Sequence, residues 1–138
     1  MPYPEMLVSP MRAELSKNGF EELKNSEEVD NAFENKEGTM LLVVNSVCGC
    51  AAGSCRPGVI NSLQGDKKPE KLVTVFAGQD IEAVTKAREN LLPYPPSSPA
   101  IALFKDGKLV HMIERHNIEG RTAQMIADNL KHAYEQYC

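Results

Sequence analysis

An α/β fold, three layers thick with helices on both faces of a mixed four-stranded sheet, is the architecture this sequence predicts. Three observations carry it. Two continuous apolar runs, Thr39–Asn45 and Leu72–Ala77, have the β-branched content of strands buried on both faces, and each leads into a helical segment. Two further apolar runs, Ala100–Phe104 and Leu109–Ile113, flank Lys105-Asp106-Gly107-Lys108, and Asp-Gly between such runs is a strong hairpin signal. Helical patterns precede and close the set, so both faces of the sheet have cover.

The elements follow in order. From Pro10 to Leu23, Met11, Leu15 and Phe20 recur at loosely helical spacing, and Asn18-Gly19 reads as a stop. Ser26 to Asn35 predicts a second helix, with Ser26 as cap, Glu27 and Glu28 in the first turn, and Val29, Ala32 and Phe33 on one face. The first core strand runs into Ser46-Val47-Cys48-Gly49-Cys50-Ala51-Ala52-Gly53 and then a helix from about Cys50 to Leu63, whose middle Gly53, Pro57 and Gly58 weaken or kink. After the second strand, Asp80 is placed to cap a helix reaching about Leu91. Pro93-Tyr94-Pro95-Pro96-Ser97-Ser98-Pro99 is too proline-rich for a helix or a central strand. A last amphipathic helix, from about Glu119 to Tyr137, turns Ile118, Met125, Ile126, Leu130 and Ala133 inward. Two helices, β-α-β-α, a hairpin and a helix, joined by a right-handed crossover, give the element order of the thioredoxin fold with extra N-terminal helices. No linker or repeat divides residues 1–138, which read as a single domain.

Composition narrows the function classes. The chain is 42% apolar and 25% charged over 138 residues, which excludes a disordered tail, a collagen-like chain and a disulfide-dense secreted miniprotein. A net charge of −4 offers no global attraction for a phosphate backbone, and the densest basic stretch, Asp66-Lys67-Lys68, is too short to make a patch, so no nucleic-acid partner is expected. No apolar window is long enough to cross a bilayer, and Met1-Pro2-Tyr3-Pro4-Glu5 lacks the basic and apolar regions of a leader. No membrane partner and a cytoplasmic address are the expectations.

In a reducing compartment, clustered cysteines point to redox chemistry or metal binding. Three of the four, Cys48, Cys50 and Cys55, fall within eight residues, and the fourth is Cys138. Cys48 lies where a strand enters a helix, and there the unpaired N–H groups and the dipole of the first turn stabilise a thiolate. Arg56 adds positive charge if it folds back; otherwise it is a solvated surface arginine. A Cys-Gly-Cys disulfide closes a very small ring, and a strained bond of that kind is easily reduced. Cys55 is about 7.5 Å along a continuous helix from Cys50, so it resolves either partner only if the helix unwinds, and otherwise is a bystander. Cys138 reads as a loose terminal thiol. Ser98-Pro99, just before a strand, matches the cis-proline position of this fold, whose backbone faces the thiols and pairs with the substrate chain. Two other readings compete: a metal or iron–sulfur module built on Cys48, Cys50, Cys55 and His116 or Cys138, for which the spacing is not a common zinc pattern, and a scaffold without turnover.

Asn45-Ser46-Val47-Cys48-Gly49-Cys50-Ala51-Ala52-Gly53 with Arg56-Pro57, Thr74-Val75-Phe76-Ala77-Gly78-Gln79-Asp80, Pro96-Ser97-Ser98-Pro99 and Ile118-Glu119-Gly120 resembles the bacilliredoxin family over essentially the whole chain. The resemblance implies a thioredoxin-like thiol–disulfide oxidoreductase that removes bacillithiol, a low-molecular-weight thiol co-substrate, from S-bacillithiolated cytoplasmic proteins. It implies no tightly bound cofactor and no metal, with weak disulfide isomerase activity besides. By position, Cys48 is the nucleophile and Cys50 the second motif cysteine, able to resolve the adduct, whereas Cys55 departs from the family pattern. Bacillithiol carries a malate group, so its site needs donors for two carboxylates. The segment His116–Arg121, expected to open the last helix, nominates Gly120 and Arg121.

Overall fold

A computed structural model describes residues 2–138. Its central sheet has five strands in the order β1-β3-β2-β4-β5: β1 Glu21–Glu22, β2 Thr39–Asn45, β3 Lys71–Phe76, β4 Ala100–Lys105 and β5 Lys108–Ile113. The pairs β1–β3 and β2–β3 are parallel, while β2–β4 and β4–β5 are antiparallel. The expected count was four. The fifth strand is a two-residue acidic edge strand, with no apolar alternation for a sequence reading to find, and the Leu23 N–H extends it by bonding the Thr74 carbonyl at 2.8 Å.

All seven residues of β2 are buried, because alternate side chains feed two separate cores. Leu41 and Val43 join the core beneath α1 Glu5–Ser16, α3 Arg56–Ser62 and α6 Ala123–Tyr137, whereas Met40, Leu42 and Val44 join that of α2 Ser26–Glu34 and α4 Ile81–Glu89. The layering is therefore the expected three-layer α/β/α sandwich. The hairpin turns on Asp106 and Gly107, both at positive φ (49° and 82°), as a two-residue turn of this hand requires.

Several local expectations are corrected. The first helix begins at Glu5, not Pro10, and carries Pro10 on its exposed side. Asn25, not Ser26, caps α2, its side chain accepting the Glu28 N–H at 2.9 Å. Asp80 stands at the start of α4 but makes no capping bond, because both its oxygens are taken by Arg12 at 2.7 and 3.0 Å. The last helix, α6, starts at Ala123 rather than Glu119 and is capped by Thr122, and the segment before it, expected as a loop, forms a separate short helix, α5 Arg115–Ile118. Met125 is 49% exposed rather than inward.

Candidate active site

The end of β2 delivers the chain into the cysteine loop through a ladder of short polar contacts. Asn45 Oδ1 accepts the Ser46 N–H at 2.8 Å, and Ser46 Oγ accepts the Cys48 N–H at 3.1 Å. Arg56 reaches back from α3 and donates through Nη1 to both Asn45 Oδ1 and the Ser46 carbonyl, each at 2.9 Å. It is 1% exposed, so the solvated-arginine alternative does not hold. Its Nε lies 3.1 Å from Glu14 of α1, tying the first helix to the loop.

Beyond Cys48 the backbone is helical from Gly49, but the turn Ala51–Cys55 is π-helical before α3 takes over. The weak middle expected around Gly53 takes this form: an extra residue is accommodated in the turn, as is frequent at functional sites. The turn sends Cys55 into the core, fully buried among Leu41, Ala51 and Val59. Burial pushes its thiol up to about 12, which agrees with a bystander.

The two motif thiols are half-buried and polarised in opposite directions. Burial works against ionising Cys48, yet its thiol is lowered overall by the Cys50 side chain, by the Cys50 and Ala51 N–H groups and by the charge of Arg115. The Cys50 N–H points at Cys48 Sγ across 3.3 Å. Burial and the neighbouring Cys48 push Cys50 up to about 11. The pair is thus polarised, Cys48 ionising more readily than an ordinary thiol and Cys50 less readily.

The Ser98–Pro99 peptide bond is cis, and Leu92–Pro93 is a second cis bond. Val44 of β2 pairs with Ala100 of β4, so Pro99 and Ser98 continue β4 backwards past the level at which β2 leaves for Cys48. The structure therefore brings Cys48, Cys50, Ser98 and Pro99 to one end of the sheet. Gly120 and Arg121 lie in the connection before α6, with Gly120 at φ +76° and the Arg121 carbonyl accepting the Ser54 hydroxyl of the π-turn. Arg121 borders a separate hollow of about 260 Å³ with His111, Asn117 and Asn129.

Sequence reading missed Arg115 of α5, whose positive charge favours ionisation of both Cys48 and Cys50. Nothing short of the fold joins it to a motif 67 positions earlier. The metal-module alternative is not supported: among the described residues no three His, Cys, Asp or Glu side chains come together as a ligand set, and Cys55 is committed to the core.

The family described as disulphide isomerase matches residues 3–138. A bacilliredoxin of Cytophaga hutchinsonii is 63% identical over 134 residues, covering 97% of this chain and 98% of the relative. A bacilliredoxin of Bacillus cereus is 51% identical over 137 residues, covering 99% and 95%. Among solved structures, thioredoxin from Fasciola hepatica matches with a TM-score of 0.58 at 16% identity, covering 86% of this chain and all of that one, a likeness of fold.

Proposed function

The chain belongs to the bacilliredoxin family and is a thiol–disulfide oxidoreductase, and from that premise we propose that it strips bacillithiol from S-bacillithiolated proteins in the cytoplasm. The observation that carries this reading is the polarised pair of thiols, Cys48 lowered and Cys50 raised, at a helix start beside Pro99.

The Cys48 thiolate attacks the bacillithiol sulfur of the mixed disulfide. The S–S bond breaks, the target protein's sulfur leaves with the electron pair, and Cys48 carries bacillithiol. That step also removes the negative charge that held Cys50 up, so Cys50 loses its proton more readily once the adduct has formed. Cys50 then attacks Cys48 Sγ, expels bacillithiol as a thiolate and closes a Cys48–Cys50 disulfide, which an external thiol reductant reopens. Ser98 and Pro99 offer the backbone along which the target chain pairs. Gly120 and Arg121 are outer contributors to binding the thiol. Weak disulfide isomerase activity follows from the same exchange when the substrate is a misplaced protein disulfide.

Intact mass spectrometry after exposure to bacillithiol disulfide tests the proposal. Cys50→Ala should accumulate a single bacillithiol adduct on Cys48, while wild type and Cys55→Ala pass through it to the internal disulfide. No adduct in any variant, or an adduct trapped only without Cys55, contradicts it.

A further inference from the structure

Arg115 is held in place by three contacts at the thiol site. Its backbone N–H donates to Ser97 Oγ at 2.7 Å, its Nη1 donates to the Ser98 carbonyl at 3.3 Å, and its Nε bonds Glu119. The carbonyl it grips precedes cis Pro99, which the β2–β4 register sets beside the loop leading to Cys48. Around it runs an open groove of about 400 Å³ whose walls include Pro96, Ser98, Glu114, His116 and Glu119. A guanidinium has five N–H donors. Among the described residues Nε and one Nη1 hydrogen are engaged, and the side chain is 49% exposed, so the Nη2 edge is open. Glu114 starts α5, its carbonyl accepting the Asn117 N–H at 2.8 Å and its own N–H donating to Asn117 Oδ1 at 3.1 Å, while its carboxylate lies 3.8 Å from His116 Nε2.

We propose that Arg115 binds a carboxylate on the non-protein half of the mixed disulfide, so that the enzyme prefers small thiols bearing one; this rests on the mixed-disulfide reading above. When Cys48 attacks the small thiol's sulfur, the substrate S–S bond breaks, the target sulfur departs with the electron pair, and the small thiol becomes tethered to Cys48. Tethering raises the local concentration of its carboxylate. An exposed arginine is a weak partner for a free anion, but it can hold a tethered one end-on with two parallel hydrogen bonds. Glu119, on the Nε side, keeps the guanidinium oriented.

A charge series on one spacer tests this. A single peptide thiol is capped in turn with 3-mercaptopropionate, 2-mercaptoethanol and cysteamine, and each rate of peptide release is divided by the rate with free dithiothreitol. For wild type the normalised kcat/KM should favour the carboxylate over the neutral cap about three- to tenfold, with cysteamine slowest, and the spread should shrink in high salt. Arg115→Gln should slow all three and bring the carboxylate preference to about one, and Arg115→Glu should put cysteamine first. Equal normalised rates for wild type, a preference for cysteamine, or levelling by Arg121→Gln and not by Arg115→Gln would overturn the assignment while the mixed-disulfide reading stands. If wild type releases the peptide from none of the three, that reading fails and the assignment with it.

Discussion

Cys48 and Cys50 are two positions apart and face almost the same surroundings, yet the first ionises more readily than an ordinary thiol and the second less readily. The decisive contacts run between them, since the Cys50 thiol and N–H both stabilise charge on Cys48. Alkylation of Cys48 followed against pH should therefore show a midpoint below the ordinary thiol value of about 8.5. Cys50→Ala should move that midpoint upward, since the Cys50 side chain is the largest favourable contributor; an unchanged midpoint would assign the effect to the helix start alone. Cys55 behaves in the opposite way. Buried and neutral, it should resist thiol reagents until the protein unfolds. Its folded pKa of about 12 lies above its unfolded value, so its stabilising contribution is complete below about pH 8.5 and is lost as pH rises towards 12. Thermal midpoints measured from pH 8 to 11 should fall for wild type and fall less steeply for Cys55→Ala. The sequence already marked Cys48 as the thiolate candidate and Cys55 as a bystander unless the helix unwinds, but not the full burial of Cys55 or the raised Cys50, because burial and partner are properties of the folded turn.

At the scale of elements, the segment after Cys50 is where local propensity and packing disagree. Gly53, Pro57 and Gly58 mark it as a poor helix, but α6 requires a helix there. Gly58 shows the reason: a Cβ added to it would lie 2.7 Å from Ile126 Cβ and 2.9 Å from the Ala123 carbonyl. The glycine lets α3 approach α6 closely. Gly58→Ala should cost about 1–3 kcal/mol by overpacking, read as a lowered urea midpoint, and it should also shift the Cys48 alkylation profile, since Arg56 leaves the same helix for the loop. The core strands and the hairpin were legible because their burial writes period and β-branching directly into the chain. The edge strand β1, the real cap of α2 and the break between α5 and α6 were not. Each is decided by one or two polar residues whose partners are distant or interchangeable.

Across the whole molecule, two buried arginines fasten the N-terminal helix to the rest of the fold. Arg12 meets Asp80 through both terminal guanidinium nitrogens, reaches Glu5 through Nε at 2.9 Å and lies 5.4 Å from the centre of the Phe76 ring. Arg56 does the same for the cysteine loop, with Glu14 behind it. Removing one partner of such a pair strands the other's charge, so Arg12→Met should destabilise by about 3 kcal/mol, measured by chemical denaturation. Arg12→Met combined with Asp80→Leu should recover a large part of that loss; no recovery would place the effect in packing against Phe76 instead.

The sequence by itself determined the α/β/α layering, the order of the core strands along the chain and the position of a cysteine pair at a strand-to-helix junction, since those are written in periodicity and local turn chemistry. Only the tertiary structure decided that Cys50 is raised while Cys48 is lowered, that Cys55 is withdrawn into the core, that Arg56 is interior, and that Arg115 rather than a nearer residue lends its charge to the pair. Those outcomes depend on the distance and dielectric between groups far apart in the chain. No spacing along a sequence encodes them.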